Sequence, residues 1–229
     1  MNLTELVLDE SPMGSVYLLK LVTLPKALKR FRWGQVEDYS TGTGRPSSCL
    51  QRALVEALEA QKDSLESLDL NGLPPDPNDR TRFRNEHLVG SLKGFAVLKI
   101  LSIPALALCG DTTWGLAPHP IVEVLPSSLE TLNLRVNVVV AGPEQNAEGI
   151  WMDRMVELAL EAKNQLPALR KVSLAVSNDW RPTREDNKPF KRLGDACVRS
   201  GIGFEVRKAT MFGISPDPYF QRIRVERFR

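Results

Sequence analysis

Histidine and cysteine are the side chains that most readily ligate metals or act as nucleophiles. This chain of 229 residues has two of the first, His87 and His119, and three of the second, Cys49, Cys109 and Cys197. Neither histidine has a partner at ligand spacing, and the cysteines lie 60 and 88 residues apart, so no zinc motif is legible. An odd number of scattered cysteines fits a reducing compartment inside the cell, cytoplasmic or nuclear. Cys197 falls at an apolar helical position and reads as core rather than nucleophile. Gly42-Thr43-Gly44-Arg45 precedes a predicted helix, as a phosphate loop would. It lacks the Gly-Lys-Ser/Thr of a P-loop and the third glycine of a dinucleotide fingerprint, which leaves a flexible loop with a helix cap. Gly-x-Ser-x-Gly, His-Glu-x-x-His and the kinase signatures are absent. These residues point away from catalysis, and no cofactor or metal is implied.

Bulk charge narrows the partners. Thirty basic residues against 28 acidic ones give a net charge of +2, too small to argue for nucleic acid or membrane. The longest apolar runs, such as Val136 to Gly142, are too short to span a bilayer. Glu5, Asp9 and Glu10 interrupt any signal peptide. What remains is charge laid out on a recurring frame.

The frame is clearest in Leu125 to Asn137, LPSSLETLNLRVN, where Leu129, Leu132 and Leu134 alternate with polar residues and Asn137 closes the stretch. Its six-residue core recurs from Leu3, Leu28, Leu65, Leu98, Leu129 and Leu169, with a weaker seventh copy from Gly201. The spacings are 25, 37, 33, 31, 40 and 32 residues. Between copies lie helix signals. Ser47 or Ser48 can cap a helix carrying Leu50, Leu54 and Leu58 on one face. Asn85 to Gly94 offers a shorter helix with Leu88 and Leu92. Ala147 to Gln165 carries Trp151, Met155, Leu158, Ala159 and Ala162 as a stripe. Phe190, Leu193 and Cys197 line a last helix that ends at the cap glycine Gly201. Pro12 and Gly14 open a first short helix through Leu21. Leu-Pro pairs at Leu24, Leu125 and Leu166 stop helices before the next strand, because proline holds the preceding residue extended.

The expected fold is therefore α/β: about seven irregular repeats of strand, loop and helix over residues 1–207, then a C-terminal cap or basic tail over 208–229. Alternation sends the apolar residues inward and leaves the intervening ones on the opposite sheet face. Glu37 to Pro46, Asn71 to Arg84 and Asp179 to Lys188 read as surface loops. In the tail QRIRVERFR, alternating Ile223 and Val225 favour a terminal strand on an open edge over an RNA-binding segment.

With the phrase L-x-x-L-x-L-x-x-N in place, the chain resembles the leucine-rich repeat superfamily over Leu3 to Arg207. The resemblance implies a solenoid with a curved parallel sheet on its concave side and helices on its convex side. The long units and the recurrent LP-x-x-L-x-x-L-x-L are also similar to the repeat domains of fungal F-box-type proteins. In that family the solenoid holds a substrate while a separate F-box recruits a cullin ubiquitin ligase through an adaptor. The turn asparagine is matched at Asn137, with Ser11 and Ser177 as polar substitutes. Val36, Leu73 and Leu106 stand at the equivalent places elsewhere, so no continuous asparagine ladder forms. The first copy begins at residue 3, which leaves no room for an F-box or a cap and suggests a fragment, or a first strand that pairs with something else.

The expected function is a non-catalytic protein–protein interaction module that binds a partner on the concave face, the substrate-recognition part of a ligase receptor if the resemblance carries that far. Standard phasing places Glu5, Val7, Asp9, Arg30, Arg32, Ser67, Asp69, Asn71, Ile100, Ser102, Thr131, Asn133, Arg135, Lys171, Ser173, Glu205 and Arg207 on that face. Of these, Arg30, Arg32, Asp69, Asn71, Asn133, Arg135, Lys171, Glu205 and Arg207 are the candidate partner contacts, since mixed charge gives selectivity and arginine anchors interfaces. Any solvated sheet face must be polar as well. Two other readings stay open: a small α/β enzyme with a deep pocket of ionisable residues, and a nucleic-acid binder using Arg30, Arg32, Arg135 and the tail, with affinity that falls steeply with salt.

Overall fold

Seven of the recurrent phrases become strands, for the reason their alternation implies: every second side chain has an apolar layer to enter. In the computed structural model, residues 3–8, 15–34, 51–71, 88–109, 120–136, 147–177, 187–209 and 222–223 are described. The strands are β1 (Glu5–Leu8), β2 (Arg30–Gly34), β3 (Ser67–Asn71), β4 (Ile100–Pro104), β5 (Thr131–Val136), β6 (Lys171–Ser177) and β7 (Gly203–Ala209). They pair in chain order and all in parallel. A two-residue strand, β8 (Arg222–Ile223), closes the far edge antiparallel to β7, so the expected terminal strand is present. The result is an eight-stranded α/β sheet in strictly sequential order.

The register matches the phrase alignment at each junction. Glu5, Arg30, Ser67, Ile100, Thr131, Lys171 and Gly203 are successive partners, and so are Val7, Arg32, Asp69, Ser102, Asn133, Ser173 and Glu205. One hydrogen-bond pattern recurs just ahead of the strands. The carbonyl of Thr4 accepts from the N–H groups of Lys29 and Arg30, and that of Lys29 from Glu66 and Ser67. The carbonyl of Glu66 accepts from Lys99 and Ile100, that of Lys99 from Glu130 and Thr131, and that of Glu130 from Arg170 and Lys171. Five junctions thus share one geometry, which turns the sequence period into a spatial one.

Three apolar columns fill the covered side. Leu28, Leu65, Leu98, Leu129 and Leu169 form the first; Phe31, Leu68, Leu101, Leu132 and Val172 the second; Trp33, Leu70, Ile103, Leu134 and Leu174 the third, and all are buried. Leu6 and Leu8 at one end of the parallel run and Phe204 at the other pack less completely.

Helices cover these columns: α1 (Ser15–Thr23), α2 (Gln51–Leu58) with a 3-10 turn at Glu59–Gln61, α3 (Ala105–Cys109), α4 (Ile121–Val124), α5 (Ala147–Gln165) and α6 (Asn187–Arg199). α1 packs on α2, α4 on α5, and α5 on α6. Leu54 and Leu58 of α2, and Met155, Leu158, Ala159 and Ala162 of α5, are buried as their spacing predicts. Leu125, ahead of Pro126, is extended at φ −85° and ψ 147° and ends α4, as the proline requires. Gly201 sits at φ +73° past α6, where its N–H bonds the Val198 carbonyl and the Ile202 N–H bonds the Cys197 carbonyl. That pair of bonds is a Schellman cap, and glycine is suited to its left-handed position.

Some expectations change. Asn187 and Lys188, read as the end of the third loop, are the first two residues of α6. The helix read over Asn85 to Gly94 does not form in its described part. Gly90 takes φ +71°, the Val89 N–H bonds the Ala107 carbonyl, and the Leu92 N–H bonds the Val124 carbonyl. Bonds to neighbouring return segments replace helical ones, while Leu92 still reaches the core. Asn71, read as the start of a loop, is the last residue of β3. Asn137, Ser11, Val36 and Leu73, the loops 37–46, 72–84 and 179–186, and the helix caps Ser47 and Ser48 lie outside the described residues.

Candidate binding face

The residues between the core columns fall on the sheet face that no described helix covers. Arg30, Arg32, Asp69, Asn133, Arg135, Lys171, Glu205 and Arg207 all keep some exposure there, whereas the core-column residues beside them in β2 to β6 are buried. Asn71 belongs to the same strand set, paired with Gly34; its side chain and Asp9 lie outside the description. The face is assembled from seven strands, so residues 200 positions apart become part of one surface.

Two charge clusters organise it. In the first, Asp69 of β3 receives Arg135 Nη2 at 2.7 Å on one carboxylate oxygen and has Arg32 Nε at 3.8 Å from the other. Arg32 is the register neighbour of Asp69, but Arg135 reaches back over β4. It can do so because β4 offers only Ser102 and Pro104 beneath it, neither with a long side chain. Arg135 Nη1 is buried and has no hydrogen-bond partner among the described residues. In the second cluster, Glu205 of β7 pairs with Lys171 at 2.7 Å and with Arg207, and accepts from the Ser173 hydroxyl at 2.7 Å.

Burial pushes the Glu205 carboxyl pKa up. Hydrogen bonds from Lys171, Ser173 and Arg207, with the charge of Arg207, outweigh that and hold it below the usual carboxylate range. Ser173, 3% exposed, is one of two buried polar residues among the described ones, and its hydroxyl is spent on this carboxylate. Between the clusters the face is neutral: Asn133 donates to Ser102 Oγ at 3.0 Å. Toward the first edge, Arg30 pairs with Glu5 at 2.7 Å with both side chains well exposed.

The sequence reading missed a second polar pattern. The position ahead of each of the five strands β2 to β6 carries Lys29, Glu66, Lys99, Glu130 and Arg170 in turn, alternating in sign along the rim of the sheet. Lys29 and Glu66 pair at 3.2 Å, and with Thr4 and Arg30 they line an open hollow of about 270 Å³. The same two-unit rhythm appears one layer in. Ser64 donates to the Leu28 carbonyl at 3.0 Å and Ser128 to the Leu98 carbonyl at 2.8 Å, while Ala27, Val97 and Ala168 hold the corresponding place in the other units. The signal was legible: copies begin SLE in two units and Leu-Lys or Leu-Arg in the three around them.

The nucleophile candidates lie elsewhere. Cys109, the last residue of α3, and Cys197 of α6 are buried free thiols. Burial pushes both thiols up to about 12, and the charge of Arg154 only partly offsets it at Cys109. At that value neither offers a thiolate near neutral pH. His87, His119, Cys49 and the Gly42–Arg45 loop are outside the described residues. Among the described residues no group of three or more His, Cys, Asp or Glu is placed to hold a metal. No described helix is long and apolar enough to cross a membrane. Comparison with family models, with curated proteins and with solved structures finds no match.

Proposed function

We propose that this protein is a leucine-rich repeat solenoid acting as a non-catalytic binding module, with a protein partner held on the open sheet face. One observation carries the reading: seven in-register parallel strands bury every second side chain and leave the others as one face of mixed charge. Sequential order and a shared junction geometry support the repeat description. Strand-borne side chains suit recognition because the backbone ladder fixes their spacing before any partner arrives, which lowers the ordering cost of binding. Arg30, Arg32, Asp69, Asn71, Asn133, Arg135, Lys171, Glu205 and Arg207 are the proposed contacts. Substrate recognition for a cullin ligase, through an F-box outside this chain, is the finer form of the proposal and rests on the sequence resemblance.

The test is affinity capture from a lysate, with the protein beside an Arg30→Glu, Arg32→Glu, Arg135→Glu variant shown by circular dichroism to fold. We expect a defined protein on the first that is missing from the second, and ligase subunits among the prey would support the finer form. Identical captures by both would refute recognition on this face. Nucleic acid in place of protein, released steeply by salt, would overturn the partner class.

A further inference from the structure

We infer that the charged rim ahead of the strands is a self-association surface, and that it takes a second copy of this chain turned about a two-fold axis. Lys29, Glu66, Lys99, Glu130 and Arg170 alternate in sign through five successive units. The N–H of each of the last four donates to the carbonyl of the one before it, so the backbone holds the row at one charge per strand spacing, about 4.8 Å. Opposite neighbours at that spacing could satisfy one another within the chain, and Lys29 and Glu66 do so at 3.2 Å. Lys99, Glu130 and Arg170 do not: all three are exposed, and their side chains form no ion pair among the described residues. Three positions ahead of them stand Ala96, Ser127 and Pro167, exposed, short and uncharged, where the first two units carry Lys26 and Asp63. Short neighbours leave these three charges open to a surface approaching the rim.

The order of signs selects the occupant. A two-fold axis at right angles to the row reverses it. Passed through any one residue, the axis sets like charges against each other; passed between Lys99 and Glu130, it makes every opposing pair opposite in sign. Lys99 then faces Glu130 of the second copy and Glu66 faces Arg170 of the second copy. The axis repeats both, which gives four ion pairs in an isologous contact. The three charges left without a partner in one chain each gain one. Other occupants fit less well. An extended peptide presents side chains on one side every 6.6 Å, roughly, and falls out of step with the row. A nucleic-acid backbone carries a single sign and would meet Glu66 and Glu130. Exposed ion pairs are individually weak, so the dimer is reversible and salt dissolves it. The rim row shares no residue with the contacts proposed for the open face, so either role can fail without the other.

The test is sedimentation equilibrium of the full chain from about 10 µM to about 1 mM in about 20 mM salt, where exposed charges are little screened. We expect a monomer–dimer equilibrium that goes no further and that about 0.5 M salt returns to monomer. Lys99→Glu and Glu130→Lys each set like charges together at two symmetry-related places. Either alone should raise the dimer dissociation constant about tenfold or more. Mixed in equal amounts, the two variants should associate within about threefold of the wild-type constant, because the acid introduced in one faces the lysine introduced in the other. A row that serves only its own chain predicts no gain on mixing. Melting curves at about 10 µM check that both variants fold. Lys99→Gln with Glu130→Gln in one chain strips the central pairs without repulsion, and should weaken the dimer about fivefold. A monomer throughout, assembly beyond the dimer, a dimer that high salt or the variants leave unchanged, or single variants whose mixture regains nothing would each overturn the inference.

Discussion

The covered and open faces of this sheet are built from the same strands, one residue out of step, yet they obey different rules. On the covered face the residue type barely changes from unit to unit: Phe31, Leu68, Leu101, Leu132 and Val172 occupy one column, all buried. On the open face the adjacent column runs Arg32, Asp69, Ser102, Asn133 and Ser173, with no type held along its length. Close packing penalises any change of volume, so the stack dictates the first column. Solvent tolerates almost any polar group, so the second column is free to be shaped by whatever it meets. The open face is where residues can change at the smaller cost to the fold.

Substitutions at neighbouring residues put that contrast on a scale. Leu132→Ala should cost about 2–5 kcal/mol, the transfer and cavity cost of a buried leucine, measured by denaturant unfolding. A loss below about 1 kcal/mol would mean that the stack collapses around the gap and the column is not a rigid layer. Next is Gln61, which breaks the rule that the covered side is apolar. It is 2% exposed, accepts from the Leu28 N–H at 3.0 Å, and donates to the carbonyls of Pro25 at 2.7 Å and Val22 at 3.3 Å. Gln61→Leu keeps the bulk and strips those partners, and should cost about 1–3 kcal/mol. A neutral result would show that water reaches these groups.

Smaller effects belong to the open face. Glu205→Gln should cost about 1 kcal/mol at neutral pH, given how much of the cluster stays in contact with solvent. Its pH dependence is the sharper reading. The folded carboxyl pKa lies below its unfolded value of about 4.3, so its contribution is complete above that value. The contribution is lost as pH falls through the unfolded value toward the folded one. The gap in melting temperature between wild type and Glu205→Gln should therefore close on acidification from pH 6 to pH 3. A gap that holds constant would place the cluster's worth in packing instead. At the rim, Lys99→Glu sets three like charges in a row with Glu66 and Glu130 and should cost about 0.5 kcal/mol, a penalty that 0.5 M salt removes. Asn133→Ala, beside Leu132, loses only the half-buried bond to Ser102 and should fall within about 0.5 kcal/mol. A cost approaching that of Leu132→Ala would erase the distinction between the faces.

Some of this organisation needed only the order of residues. Starts at Leu3, Leu28, Leu65, Leu98, Leu129, Leu169 and Gly201 align in the sheet as they align on paper, because apolar residues two apart have one inward face to share. The helix over Ala147 to Gln165 and the glycine cap at Gly201 were legible for the same kind of reason, a local period and a local backbone requirement. The helix expected over Asn85 to Gly94 failed because Leu88 and Leu92 satisfy a helical spacing that Gly90 does not sustain. That segment takes its hydrogen bonds from Ala107 and Val124, which no local pattern encodes.

The same divide runs through the candidate site. Alternation alone placed Arg32, Asp69, Arg135, Lys171, Glu205 and Arg207 on one face. That Arg135 passes over β4 to reach Asp69, 66 positions away, while Glu205 is served from its own strand and the next, was decided by the fold. So was the use of Gln61 to tie together the turn from α1 to β2, 33 positions or more from its partners. Periodicity settles which way a side chain points, because that follows from backbone geometry residue by residue. Which charges meet depends on how far each arm reaches over its neighbours, and on how short those neighbours are, a property of the assembled sheet alone.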